Sequence, residues 1–300
     1  MEALVKLSFY CFAAASIAFV SSAVCYFAHS VGRVAVRSTA MATTIGTTVV
    51  GRSARLEPGW LGAGRFATLL AWFGVVFQGL SIALRTAAAG HLPLSNMYEF
   101  SSTFVFLAGL LYLLFERAYG VRQLGAIVLP LTVGMVIYIW SLPADLREVN
   151  ALIPALQHRP LMTAHVSFAI LAYAAFAVAF AAAILYLIAS WRAVSWLPSA
   201  DMLDDIGYRA VTIGFPAMAL VLILGSVWAY RAWGTYWSWD PKETAALFTW
   251  LVYGVYLHTR SLRSWRGTRS AIVLLLGFGA VIFTYYGNYF FGGLHAYGGV

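Results

Sequence analysis

Charge is what this 300-residue chain has least of. Asp, Glu, Lys and Arg together make up only 10% of it, against 62% hydrophobic residues and a mean hydropathy of +0.80. That leaves too little polar side chain to cover a water-soluble globule, so the composition points to an integral membrane protein. Acidic residues are the scarcer sign, 11 against 19 basic, for a net charge of +8. The basic residues are scattered instead of clustered into a stripe, which argues against a nucleic-acid groove. An excess of this kind is what cytoplasmic loops retain. Cysteine is nearly absent. Cys11 and Cys25 both fall in the first apolar run, and the helix between them spans about 21 Å, beyond disulfide reach. No Cys-x-x-Cys pair occurs, which excludes a zinc ribbon, a dithiol redox motif and covalent haem attachment to the chain itself. Internal repeats, low-complexity tracts and a separate soluble domain are also missing.

What is there is apolar length. Crossing a bilayer takes about 20 mostly apolar residues, and eight stretches qualify, at 7–29, 66–86, 100–116, 123–141, 165–190, 209–230, 243–259 and 270–289. The expected fold is all-α and polytopic, with kinks or breaks at Pro130 and Pro216. The first run is long for a signal-peptide h-region and has a weak basic flank, so a retained helix is expected. Residues 1–65 read as that helix plus a flexible cytoplasmic connection, and 66–300 as the main transmembrane domain. With both termini outside, 13 of the 19 basic residues fall in inner loops, as the positive-inside rule asks. That orientation puts the loop carrying His91, the loop 231–243 and the tail carrying His295 on one external face.

The external loop is Trp233-Gly-Thr-Tyr236-Trp237-Ser-Trp239-Asp240-Pro-Lys242-Glu243. An interfacial belt uses one or two rings per helix end. Four rings within seven residues form a platform for a large flat ligand. Asp240 as N-cap, Pro241 at the first helical position and Glu243 at the third start a helix. That accounts for those three residues and leaves Trp233, Tyr236, Trp237 and Trp239 without a role beyond anchoring. Asn96 and Glu99 repeat the cap spacing before the third span.

Six histidines occur. Imidazole is the usual axial ligand of haem iron. His91 follows the second span and His295, flanked by glycines, follows the eighth. Each alone suits a solvated interfacial residue, but sharing a face with the aromatic loop favours paired axial ligands. His258 lies near the inner end of the seventh span, about 22 Å from Glu243 along the helix. An ionisable group in a span marks a site or pathway, although the helix C-terminus beside Arg260 also suits it. His165 opens the fifth span, where a structural hydrogen bond is expected. His29 and His158 carry no further signal.

The tryptophan-rich run resembles the signature of the haem-handling proteins of cytochrome c maturation. Three flanking stretches narrow the match: His91 with Pro93, Ser95, Asn96, Tyr98 and Glu99; Tyr256-Leu-His258-Thr-Arg260; and Asn288-Tyr-Phe-Phe-Gly-Gly-Leu-His295. Together they resemble the CcsA/ResC family of the system II cytochrome c synthase, called CcsB in some bacteria. The resemblance covers most of 66–300. It implies that His91 and His295 ligate haem b beneath the rings of Trp233, Tyr236, Trp237 and Trp239, beside Asp240. It implies that His258 receives haem transiently from the inner side, with a second transmembrane histidine supplied by a ResB/Ccs1-type partner. The implied membrane is the bacterial plasma membrane or a thylakoid. The implied function is that of a holocytochrome c synthase (haem lyase) subunit, presenting haem to apocytochrome c, whose Cys-x-x-Cys-His thiols add to the vinyl groups. For such a ligand, the side chains of Lys242 or Arg231 suit pairing with the propionates, and a solvated interfacial position suits each equally well. The alternatives are CcmC-like delivery to a chaperone, a b-type electron-transfer protein, and a transporter with a tryptophan rim.

Overall fold

The computed structural model describes residues 1–45, 58–149, 152, 154–157, 159–191, 197–262, 265–287, 291 and 293–295, leaving aside the side chains of 32–45, 58–61, 154, 155 and 159. His158, Asn288 and residues 46–57 of the expected connection at 30–65 lie outside what is described. Eight long helices follow in order: α1 (Glu2–Ile45), α2 (Pro58–Ala89), α3 (Met97–Tyr119), α4 (Gly125–Ser141), α5 (Arg159–Trp191), α6 (Ala200–Trp233), α7 (Pro241–Ser261) and α8 (Thr268–Tyr286). Short 3-10 turns at Arg122–Leu124, Ala144–Arg147 and Pro154–Gln157 join them, and no strand occurs among the described residues.

Seven of the eight helices are long and apolar enough to cross a membrane, where eight spans were expected. The exception is α7. Its 21 residues make about 31 Å of helix, sufficient for the hydrocarbon core. Its polar content is the reason it falls short: Lys242, Glu243, His258 and Arg260 stand at its ends, and Thr249, Tyr253 and Tyr256 on its buried face. The helices also outrun the apolar runs that announced them. α1 continues to Ile45 and α2 starts at Pro58, so 30–45 and 58–65 are helical and not loop. α6 starts nine residues early because Ser199 caps it, accepting from the Met202 N–H. Pro130 and Pro216 lie inside α4 and α6, which run through them.

The centre of the bundle is α5, with 78% of its most apolar window buried. Alanines at 172, 174, 175, 177, 179, 181, 182 and 183 are all buried, and small side chains let α3, α6 and α8 approach its backbone closely. At one end of the bundle Glu116 of α3 accepts from Tyr26 Oη of α1 (2.5 Å), Thr68 Oγ1 of α2 (2.6 Å) and Tyr112 Oη. Arg260 of α7 pairs there with Asp204 of α6 at 2.6 Å. The opposite end gathers the α2–α3 loop, the α4–α5 turns, the α6–α7 loop and the chain after α8.

Candidate functional site

Local rules build the α6–α7 loop. Gly234 ends α6 with φ +80°, the left-handed conformation that favours glycine, its N–H donating to Tyr230 O. Tyr236 folds back to stack on Tyr230 at 4.4 Å. Trp237 and Trp239 meet edge to face at 5.6 Å. Trp239 is held at φ +58°, uncommon for a residue with a side chain, and leaves its ring exposed (69%). The capping box at α7 is complete: Asp240 Oδ1 accepts from Lys242 N at 2.9 Å, and Glu243 Oε2 accepts from Asp240 N at 3.2 Å and Ser238 N at 2.9 Å.

The cap carboxylate has a second task. Asp240 Oδ2 accepts the Leu294 N–H at 2.6 Å, and Oδ1 lies 2.9 Å from His295 Nδ1. Gly293, at φ +129°, brings the tail so near that an added Cβ would strike Asp240 Oδ2. One aspartate thus starts α7 and latches the chain end onto it. Burial pushes the His295 imidazolium down first, with Lys242 acting the same way and Asp240 opposing. The imidazole is therefore neutral at neutral pH. Its Nδ1–H donates to the carboxylate, which leaves Nε2 a lone pair.

A second histidine is prepared in the same way. His165 Nδ1 lies 3.0 Å from the carbonyl oxygen of Val221 in α6. A carbonyl only accepts, so Nδ1 carries the proton and Nε2 the lone pair. The approach depends on Gly225, where an added Cβ would stand 2.7 Å from His165 Cε1. Trp228 touches both imidazoles, stacked near-parallel on His165 at 6.2 Å and tilted against His295 at 5.8 Å. Trp233 completes the group, edge-on to Trp228 at 4.8 Å and to His295 at 4.9 Å.

The two histidines and Trp228 help to wall a cavity of about 160 Å³ between α3, α5, α6, α7 and α8. His165, His295, Trp228, Trp237, Lys242 and Glu243 line it together with Met97, Phe100, Met162, Tyr173 and Tyr285. The loop after α2 contributes Leu94, Ser95 and Asn96, pinned by a buried ion pair. Arg85 and Glu99 (4% and 2% exposed) meet at 2.8 Å. Arg85 also donates to the carbonyls of Arg147 (2.7 Å) and Glu148 (2.8 Å), and Glu99 accepts from Ser95 N at 2.8 Å.

The expected site residues divide on this geometry. His295, Trp237 and Lys242 line the cavity, while Trp233 and Asp240 support His295. Tyr236 and Trp239 stay on the exposed loop. His91 is near but not part of the wall: it is half-buried, its Nδ1 against Leu92 O at 2.9 Å. His258 is exposed near the far end of α7, in line with exposed Leu251, Val255 and Leu262. The residue that sequence reasoning assigned only a structural hydrogen bond is His165. A signal existed: Met162, His165, Val166, Ala169 and Tyr173 recur at 3, 4, 7 and 11 residues along α5, one helical face, and all five line the cavity.

Comparison with known proteins agrees with this architecture. The Cytochrome C assembly protein family matches residues 94–295, a stretch that holds the cavity and both of its histidines. The cytochrome c biogenesis protein CcsA of Chlamydomonas reinhardtii is 39% identical over 228 residues, covering 73% of this chain and 64% of that protein. CcsA of Synechococcus elongatus is 36% identical over 270 residues, 72% of this chain and 82% of its own length. CcsA of Guillardia theta is 39% identical over 245 residues, with 72% and 80% covered. Among solved structures, the cytochrome c haem lyase CcmF shares the fold, with a TM-score of 0.61 at 18% identity, covering 94% of this chain and 46% of that one. The chain belongs to the cytochrome c assembly protein family, among its CcsA-type cytochrome c biogenesis proteins.

Proposed function

We propose that the cavity receives haem b as cargo, with His165 and His295 supplying the two axial imidazoles, and presents it to apocytochrome c. The observation that carries this reading is a pair of histidines lining one cavity, each with its Nδ1 set against an oxygen acceptor so that Nε2 is the unprotonated ring nitrogen. That is the arrangement of metal-binding histidines. It favours His165 over His91 as the partner of His295. Trp228 and Trp237 offer ring faces and edges to a macrocycle, and exposed Trp239 carries the aromatic surface outwards. The chain's contribution is ligation and orientation. The bond-forming chemistry belongs to the bound tetrapyrrole and the incoming thiols.

The same reading places this end of the bundle on the external face of a bacterial plasma membrane or thylakoid. It leaves exposed His258 as a transient haem contact beside a ResB/Ccs1-type partner, in a haem lyase of two proteins. Protein purified from haem-replete cells is expected to show a low-spin, bis-imidazole absorption spectrum. Gly293→Ala should reduce it to the level of His295→Ala at unchanged membrane abundance, because the new Cβ unseats the tail. A Gly293→Ala variant with full haem content would show that the latch has no part in ligation, and haem-free wild type would sink the reading itself.

A further inference from the structure

One charge on the cavity wall has no task in this arrangement. Lys242 stands among the lining residues, yet among the described residues no carboxylate oxygen comes within the 4.0 Å of an ion pair. The two acids beside it are committed elsewhere. Asp240 accepts from Lys242 N, Leu294 N and His295, and Glu243 accepts from Ser238 N, Ser238 Oγ and Asp240 N. Removing an ammonium from water without an anion is costly. The start of α7 adds the positive end of a helix dipole at the same place. A cation that lines the same cavity as His165 and His295 is therefore set to receive an anionic group of whatever those histidines bind. Arg231 is not a competitor. It lies exposed on the last turn of α6, outside the lining residues.

Resting on the haem reading above, we propose that Lys242 is a carboxylate subsite that takes one propionate of the bound tetrapyrrole, so that the site selects a porphyrin acid over a neutral porphyrin. Propionates occupy one edge of protoporphyrin IX and vinyl groups the opposite edge. Lys242 thereby turns the reactive vinyl edge away from α7, and the Lys242 contact sets the orientation in which the cargo is offered.

The test is titration of purified, haem-depleted full-length protein with iron protoporphyrin IX and with its dimethyl ester, followed by the Soret band. Wild type is expected to bind the diacid about tenfold to a hundredfold more tightly than the ester, the range of one charge-assisted hydrogen bond. Lys242→Gln should bring the ratio to about one by weakening the diacid alone, since the ester never used the ammonium. Lys242→Arg should keep the preference. Unchanged ester affinity in the Gln variant shows that the site still folds. A wild-type preference persisting in Lys242→Gln, or equal wild-type affinity for both porphyrins, overturns the subsite and leaves the haem reading intact. Binding of neither porphyrin overturns both.

Discussion

Protein carrying His165→Ala is expected to leave the membrane extraction with little or no bound haem, while His91→Ala keeps most of it. The two substitutions remove the same ring from two positions near one end of the bundle, so the comparison isolates geometry. His165 lines the cavity with Nδ1 held by Val221 O, which leaves Nε2 as its unprotonated nitrogen. The His91 ring is engaged with its own loop at Leu92 O and lies off the wall. Losing one of two axial ligands leaves iron held by a single imidazole, which lowers both affinity and the low-spin signal. Haem content per polypeptide, read as a pyridine haemochrome, measures this. Equal loss in both variants, or loss only in His91→Ala, would return the ligand role to the loop after α2.

The second large effect lies in the ion pair that holds that loop. Arg85→Met leaves Glu99 buried with its main cationic partner gone, and frees the carbonyls of Arg147 and Glu148 as well. Breaking a buried pair from one side costs about 3–5 kcal/mol, the scale of a domain's marginal stability. The melting temperature of Arg85→Met in detergent should fall steeply. Arg85→Lys should fall less, keeping the charge but losing the forked contacts. Adding Glu99→Gln to Arg85→Met should recover part of the loss, since no charge then remains buried. A melting temperature for Arg85→Met within the range of surface substitutions would mean that the pair does not pin the loop.

Much of this was legible in the sequence because it is local. Apolar length announced the bundle, and the Asp240-Pro-Lys-Glu243 spacing announced the start of α7 to the residue. Asn96 likewise reads correctly as the cap of α3, accepting from Glu99 N, while the Glu99 carboxylate turns to Ser95 and Arg85 and not to the Asn96 N–H. The parts that escaped depend on elements distant in sequence. Glu99 reads as a capping residue, but nothing nearby in sequence names Arg85 as its buried partner. His165 reads as a polar residue at the start of an apolar helix, and only the approach of α6 at Gly225 and Val221 fixes its tautomer. Asp240 shows its capping role locally, whereas its hold on Leu294 and His295 spans more than fifty residues. α7 shows the converse. Its polar residues weaken the hydropathy signal because Thr249, Tyr253 and Tyr256 turn inward.

The central claim is that His165 acts as an iron ligand and not as a packing residue against Trp228. Imidazole supplied to His165→Gly tests it most directly, because the substitution leaves room for the free ring where the side chain stood. The account predicts that the variant loses the bis-imidazole spectrum and its cytochrome c yield, and that added imidazole restores both in a dose-dependent way. A variant that keeps the low-spin spectrum without imidazole, or one that stays haem-free at every imidazole concentration while remaining folded, would contradict it.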